Sequence, residues 1–253
     1  MSPYDDVDGG FPVTATTAWL PRMPSGAATG RVFCIPHAGS GAAIFGNWPD
    51  GQDSVEFLPV ELPGRLTRFT EPMPETFEDL ADALIEALRP YLDIPFAFFG
   101  HCWSALAAYE VTARIQGAGL PLPARLFVSS QVAPQDGPVG RMLGMDDAEL
   151  RADLERTIRD SGKEPHPELV SIYADVLRAD VEVSRRYVVP DPLRLSCPIT
   201  AIGWSEDTEV DAGQMTGWAA CGEACFELLP GRHHRFLDAP PELLSLLSNG
   251  VSS

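Results

Sequence analysis

An apolar strand followed at once by an apolar helix lies near the middle of the chain, and the other predicted elements are arranged around it. Residues 95–99 form an uninterrupted apolar run, which predicts a parallel strand buried on both faces. Residues 103–115 are apolar nearly all round, which predicts a buried helix. Between them stands Cys102, with Gly100 two positions before it and Ser104 two positions after it. The pattern therefore predicts a sharp turn from strand to helix with a thiol at its tip.

Further strands and helices alternate along the rest of the chain. Apolar runs predict five more strands, at residues 31–36, 54–60, 125–129, 197–203 and 224–229. Apolar positions at helical spacing predict a helix over 76–89, with Thr76 as its N-terminal cap, and a closing helix over 241–247. Because strands and helices alternate, we expect an α/β protein with a mostly parallel central sheet and helices on both faces.

The alternation is interrupted between about residues 131 and 195. Two helical stretches, 146–160 and 167–187, follow one another there with no strand between them. We therefore predict that this segment leaves the sheet and crosses its carboxyl edge as a helical lid. Residues 1–15 are polar and rich in glycine, and we expect a mobile N-terminal tail there. Residues 16–253 are expected to form a single domain that carries the lid as an insertion.

Composition and charge disfavour several kinds of function. The formal net charge is −18 over 253 residues, so the acidic surface would repel the phosphates of a nucleic acid. No run of about 18 apolar residues is present to span a membrane, and the N-terminal residues lack the pattern of a secretory signal. The five cysteines contain no Cys-x-x-Cys pair, which argues against a disulfide framework and a structural zinc site. We expect a cytoplasmic protein that holds no metal, and a monomer.

The turn at Cys102 matches the nucleophile elbow of the α/β-hydrolase fold. The usual elbow reads Gly-x-Ser-x-Gly, whereas this chain has Cys102 in place of the serine and Ser104 in place of the second glycine. A thiol can do the work of the hydroxyl, and serine is small enough to let the helix approach the strand. We therefore predict an α/β-hydrolase fold in which Cys102 is the nucleophile of an acyl-transfer reaction.

In this fold an acid and then a histidine follow the nucleophile, each after a later strand. Glu206 and Asp207 both follow the strand at 197–203, and we favour Asp207 as the acid, with Glu206 as the alternative. His233 and His234 both follow the last strand, and their spacing alone does not choose between them. We favour His234, because the apolar residues two and three positions further on should fix the loop that presents it. His233 is the alternative.

Two backbone amides are candidates for an oxyanion hole. In the α/β-hydrolase scheme, one N–H comes from the loop after an early strand and the other from the residue after the nucleophile. By that rule the donors are Ala38, in a glycine-rich loop, and Trp103. His234 would then take the proton of Cys102, Asp207 would orient the ring, and the two amides would hold the negative oxygen that develops on the substrate.

Several motifs outside this turn point to one known family. Over about residues 19–247 the chain resembles the type II thioesterases of polyketide and nonribosomal peptide assembly lines. The motifs that carry the resemblance are Pro36-His37-Ala38-Gly39, Glu61-Leu62-Pro63-Gly64-Arg65, Gly100-His101-Cys102, Cys197-Pro198-Ile199-Thr200-Ala201 and the segment from Pro230-Gly231 to Phe236-Leu237. When the family's Gly-Gly-Asp-x-Asp and Gly-Gly-His-Phe-Phe-Leu motifs are aligned without gaps, the second aspartate falls on Asp207 and the histidine on His234. Arg232 and His233 then replace the two glycines.

The resemblance implies a substrate and a partner. Family members act on acyl or aminoacyl groups that are held as thioesters on the phosphopantetheine arm of an acyl or peptidyl carrier protein. We therefore expect a thioesterase that hydrolyses carrier-bound thioesters through a covalent acyl-enzyme. Because the phosphopantetheine belongs to the carrier, the resemblance implies no cofactor bound by this chain itself.

The cysteine leaves two other functions open. Attack by a serine on a thioester gives a lower-energy oxygen ester, whereas attack by Cys102 gives another thioester that stays activated. The acyl group could therefore pass to a second carrier thiol or to an amine, which would make the protein an acyltransferase or a cyclase. The other alternative is a partner that binds carrier proteins without catalysis. It is disfavoured because nucleophile, acid and histidine are all present in the expected order.

Overall fold

A seven-stranded sheet runs through the centre of the protein, whose computed structural model describes residues 18–252 apart from Ser161 and Lys163. The strands are β1 (Gly30–Ile35), β2 (Gly51–Gln52), β3 (Val55–Pro59), β4 (Phe96–His101), β5 (Arg125–Ser129), β6 (Ile199–Trp204) and β7 (Ala224–Leu229). Their order is β2-β3-β1-β4-β5-β6-β7, and every pair is parallel except the antiparallel β2–β3 pair. The predicted α/β-hydrolase fold with a mostly parallel sheet is confirmed. The tail predicted over residues 1–15 lies outside the described residues.

Six helices surround or cover this sheet within the described part of the chain. They are α1 (Phe77–Leu88), α2 (Trp103–Gly117), α3 (Asp147–Asp160), α4 (Pro167–Arg186), α5 (Trp218–Cys221) and α6 (Pro241–Ser252). The predicted cap of α1 is present, because the Thr76 hydroxyl accepts a hydrogen bond from the backbone N–H of Asp79 at 3.0 Å. None of the described helices has the length and apolar character needed to cross a membrane.

Strand β4 is buried on both faces, which fixes the position of the residues that follow it. Successive side chains of a strand point to opposite faces of the sheet. Phe96 and Phe98 join a core cluster with residues of α1 and α2, whereas Ala97 and Phe99 join a second cluster with residues of α6. All four side chains are at most 1% exposed. The end of β4 is therefore held by close packing above and below.

Helices α3 and α4 follow one another between β5 and β6, and we call this pair the lid. Leu150 from α3 and Leu177 and Val181 from α4 form a small separate cluster, against which Ala38 also packs. Since Ala38 lies in the loop after β1, the lid covers the carboxyl edge of the sheet. This is the edge at which the candidate catalytic residues follow their strands.

Candidate active site

Cys102 stands at the turn between β4 and α2 in a backbone conformation that few residues other than glycine adopt. Its φ is 55° and its ψ is −119°. Its N–H donates to the carbonyl of Ser129 at 2.8 Å, which helps to hold this turn. A Cβ at Gly100 would lie 2.1 Å from the backbone oxygen of Ser104, so only glycine lets α2 approach β4 so closely. The thiol is consequently presented at the apex of a tight elbow, where it is partly exposed.

Ser104 has a structural role that a glycine at this position could not fill. Its hydroxyl is fully buried and accepts a hydrogen bond from the N–H of His101 at 2.9 Å. The same hydroxyl donates a hydrogen bond to the carbonyl of Ile35 at 2.9 Å. These two contacts join the carboxyl ends of β4 and β1. The departure from the usual elbow pattern thus adds a hydrogen-bonded link beneath Cys102.

Asp207 follows β6 and has a buried carboxylate with four hydrogen-bond donors around it. These are Nδ1 of His233 at 2.9 Å, the hydroxyl of Ser130 at 2.7 Å, and the N–H groups of Glu209 at 2.8 Å and Val210 at 3.2 Å. Burial opposes the charge, but the hydrogen bonds outweigh it and lower the pKa of Asp207 to about 2. Asp207 is therefore an ionised acid whose oxygens are aimed at one histidine.

Glu206, the alternative acid, has no hydrogen bond or ion pair with a histidine among the described residues. Its side chain is exposed, and its carboxylate lies 3.7 Å from Nε of Arg232 at the surface. The structure thus brings Asp207 into the site and leaves Glu206 outside it.

His233 is the histidine that the structure places between Asp207 and Cys102. Its ring is buried, with Nδ1 against Asp207. Burial disfavours the charged ring, but the hydrogen bonds with Asp207 and Cys102 outweigh it and raise the pKa of His233 from 6.5 to about 10. His234 is exposed, and its ring lies beside that of His37, with 5.4 Å between centroids. The structure thus brings His233, the alternative, against Asp207, and it leaves the favoured His234 exposed.

The local backbone explains why His233 rather than His234 faces inward. Residues His233–Asp238 form 3₁₀ turns, in which side chains three positions apart lie on the same face. Phe236 is buried and stacks on His101 at 4.2 Å, so the face it marks also carries His233. The three-residue spacing from Phe236 is the sequence signal that would have selected His233.

Ser130 is a site residue that the sequence analysis did not identify. It directly follows β5, has a φ of 48°, and donates its hydroxyl hydrogen to Asp207. Only the pairing of β5 with β6 brings Ser130 and Asp207 together, because the two residues are 77 positions apart in the chain. No local motif marks this contact.

A cavity with an empty volume of about 540 Å³ lies between the sheet edge and the lid. Cys102 and His233 line it on the sheet side, and Val181 and Ser184 of α4 line it on the lid side. No group of three or more His, Cys, Asp and Glu side chains that could hold a metal ion occurs among the described residues.

Ala38 and Trp103, the predicted oxyanion donors, also line this cavity. Trp103 is the first residue of α2, so its backbone N–H has no partner within the helix. The N–H of Ala38 likewise has no hydrogen bond to any residue in the described ranges. Two unpaired amide donors therefore flank the Cys102 thiol.

The fold and the elbow define the class, an α/β-hydrolase, and comparison with known proteins narrows it. Residues 30–249 match the thioesterase domain family, so the chain belongs to that family and is a thioester hydrolase. Thioesterase PikA5 of Streptomyces venezuelae is 31% identical over 242 residues, covering 91% of this chain and 84% of that protein. The medium-chain S-acyl fatty acid synthase thioesterase of Homo sapiens is 32% identical over 230 residues, covering 86% of this chain and 84% of that protein.

A solved structure gives the same assignment. The type II thioesterase BorB from the borrelidin biosynthetic cluster superimposes with a TM-score of 0.76 at 28% sequence identity. The superposition covers 92% of this chain and 98% of that one.

Proposed function

We propose that this thioesterase hydrolyses acyl or aminoacyl thioesters on the phosphopantetheine arm of a carrier protein domain in polyketide or nonribosomal peptide biosynthesis. The family match and the likeness to BorB and PikA5 support the type of pathway. The observation that carries the mechanism is His233, held between the Asp207 carboxylate and the Cys102 thiol at a cavity with two unpaired amides. We assign the nucleophile to Cys102, the base to His233 and the acid to Asp207.

The proposed reaction has two steps that share one histidine. In the first, the proton of Cys102 rests on His233, whose raised pKa favours the charged ring, and the thiolate attacks the thioester carbonyl while the N–H groups of Ala38 and Trp103 hold the oxyanion. The carbon–sulfur bond to pantetheine breaks, and the departing thiol takes the proton from His233. In the second step, His233 removes a proton from water as the water attacks the acyl-enzyme. The acid is released and the thiol of Cys102 is restored, with Asp207 holding the ring throughout.

This chemistry requires no cofactor or metal bound by the chain, because the phosphopantetheine arrives with the substrate. The partner is then an acyl or peptidyl carrier domain. With a formal net charge of −18, the chain cannot attract an acidic carrier through its overall charge. Docking is therefore expected to depend on local contacts.

Acyl transfer is the second candidate function, and the cysteine at the elbow favours it. Because the Cys102 acyl-enzyme is itself a thioester, its free energy is close to that of the substrate. The acyl group could then be passed to the thiol of a second carrier or to an amine. A serine enzyme would hold the group as a lower-energy oxygen ester.

Intact-mass measurement with an acyl-loaded carrier distinguishes these functions. Release of the free acid, with a transient mass adduct on the protein, is the expected result and supports hydrolysis. Appearance of the acyl group on a second carrier or an added amine supports transfer. Absence of any adduct and of any turnover would contradict both catalytic functions and leave only binding.

Two substitutions test the nucleophile in the same assay. Cys102→Ala should abolish the adduct while the protein stays folded, and turnover that persists in this variant would refute the assignment. Cys102→Ser should retain some hydrolysis but lose transfer, because its acyl-enzyme would be an oxygen ester. Transfer that survives in Cys102→Ser would contradict the energetic argument.

A further inference from the structure

Asp180 is a buried acid on the lid that the proposed reaction does not use. Its side chain is 4% exposed, although the residue belongs to α4, outside the sheet. Its carboxylate accepts two hydrogen bonds from Arg65, each 2.9 Å long, and one from the backbone N–H of Gly39 at 2.8 Å. Its own backbone carbonyl accepts the indole N–H of Trp103 at 2.8 Å. One lid residue thus contacts three separate parts of the site's wall.

Two of these contacts reach the proposed oxyanion donors. Gly39 directly follows Ala38, so the Asp180 carboxylate fixes the peptide group adjacent to the Ala38 donor. The indole held by the Asp180 carbonyl belongs to Trp103, the residue that supplies the second donor. The two donors are far apart in the chain, and Asp180 accepts a hydrogen bond from the residue after Ala38 and from the side chain of Trp103, which leaves both donor amides free.

Arg65 completes the connection and neutralises the buried charge. One of its terminal nitrogens donates to the carbonyl of Ser40 at 2.9 Å as well as to Asp180, so it holds the loop after β1 from a second direction. Arg65 itself is 3% exposed. A buried carboxylate is tolerated only when it is paired in this way.

The lid also packs directly against the same loop. Gly39 has a φ of 72°, and a Cβ there would lie 3.0 to 3.2 Å from side-chain atoms of Leu177 in α4. The loop is therefore closely fitted to α4. A shift of α4 would move Gly39 and release the indole of Trp103 together.

We propose that Asp180 is a positioning residue that brings the two oxyanion donors into register only when α4 is seated on the sheet edge. The inference rests on the proposed function, because it needs Ala38 and Trp103 to act as the donors. It adds that attack on a thioester depends on the seated lid, since misplaced donors would stabilise the oxyanion poorly.

Two reactions of Cys102 separate this role from a purely structural one. Acylation by acetyl-N-acetylcysteamine exchanges one thioester bond for another and develops an oxyanion. Alkylation by iodoacetamide forms a carbon–sulfur bond as iodide leaves, and it develops no oxyanion. In Asp180→Asn we expect acylation to slow about tenfold or more, less than the roughly 100- to 1,000-fold cost of deleting a donor outright. Alkylation should keep its rate, with the exposed Cys225 distinguished by peptide mapping.

Glu56→Gln is the matched control. Glu56 is also a buried carboxylate that holds one arginine, Arg31, and one backbone N–H, that of Ser25. This pair lies away from the cavity, so the ratio of acylation to alkylation should match that of the wild type. If Asp180→Asn changes the acylation and alkylation rates by the same factor, so that their ratio stays unchanged as in Glu56→Gln, the proposal is wrong.

Trp103→Phe provides a second variant in case Asp180→Asn does not fold. It removes only the indole N–H and leaves an aromatic ring beside Phe77, so the same ratio should fall by a smaller factor. An unchanged ratio in a folded Trp103→Phe protein would overturn the proposal. Wild-type protein that alkylates at Cys102 but never acylates would refute the proposed function, whereas wild-type acylation with an unaltered ratio in the variants would refute only the role of Asp180.

Discussion

The two edges of the sheet each contain a buried ion pair between an arginine and a carboxylate, but the two pairs connect different parts of the protein. At the amino edge, Glu56 accepts a hydrogen bond from Arg31 at 2.9 Å, and these residues belong to neighbouring strands of the sheet. At the carboxyl edge, Asp180 accepts from Arg65 and Gly39, and it lies on a helix outside the sheet. The first pair therefore holds the sheet together, whereas the second joins the lid to the site.

The backbone around the two ion pairs also differs between the edges. Positive φ values occur at both edges, at Asp53 and Ser54 just before β3 and at Cys102 and Ser130 just after β4 and β5. At the carboxyl edge, two residues of the cavity wall also have backbone amides that stay unpaired among the described residues. Unpaired donors cost stability and are kept where chemistry needs them. We therefore expect changes at the carboxyl edge to alter activity and changes at the amino edge to alter stability.

The largest effect at the carboxyl edge should come from His233→Ala. Loss of the proposed base is expected to lower kcat/KM for thioester hydrolysis by between about 100- and 10,000-fold. The neighbouring change His234→Ala should retain most of the activity, because that ring is exposed and lies beside His37. The kcat/KM of each variant is measured by following the released thiol. A greater loss in His234→Ala would restore the sequence-based choice of base.

At the amino edge, Glu56→Gln should be the strongest change and should act on stability. It removes one of the two carboxylates paired with the Arg31 guanidinium and leaves Asp93 as the other, so the free energy of unfolding should fall by about 2 kcal/mol, the loss of a hydrogen bond between charged groups. Urea denaturation measures this loss. The kcat of the folded fraction should stay at the wild-type value, and a fall in kcat that accompanied the loss of stability would remove the distinction between the edges.

The next effect concerns the pH dependence of stability at the carboxyl edge. Because the pKa of His233 is raised from 6.5 to about 10 in the folded protein, protonation of this ring favours the folded state. That contribution is fully present below pH 6.5 and is lost as the pH rises to about 10. The stability difference between wild type and His233→Gln should therefore shrink by more than about 1.4 kcal/mol, the equivalent of one pKa unit, over this range. Urea denaturation at several pH values tests it, and a constant difference would contradict it.

The smallest effect tests the backbone strain at Cys102, the proposed nucleophile. With a φ of 55° at position 102, Cys102→Gly should be more stable than Cys102→Ala by about 1 kcal/mol, although glycine is the more flexible residue in the unfolded chain. Thermal unfolding of the two inactive variants makes the comparison. Alanine equal to or better than glycine would show that the elbow is not strained.

The sheet was predictable because its strands other than β2 are short apolar runs with clear boundaries. The predicted strands at 125–129 and 224–229 agree with β5 and β7 to the residue. The elbow was equally predictable, because Gly100 is needed for the close approach of α2 to β4. By contrast, β2 and the four-residue α5 were not predicted, since neither is long enough to show a period.

The contacts that complete the site could not be predicted from periodicity. Asp180 and Arg65 are separated by 115 positions, and each also fits an ordinary charged position on a surface helix or loop. The choice between His233 and His234 depended on a 3₁₀ turn, which shifts the inward face by one residue relative to a gap-free alignment. Charged and polar partners that meet only in the folded protein leave no local signal.

The bidentate contact between Arg65 and Asp180 also bears on how the product leaves. The cavity is bordered on one side by α4, so lifting of this helix would widen the exit for a bulky acid and would bring both buried charges into contact with water. Opening on this scale commonly takes microseconds to milliseconds and limits turnover in many enzymes. The overall rate of this thioesterase would then follow the lifetime of one ion pair more closely than the strength of the bond that it cleaves.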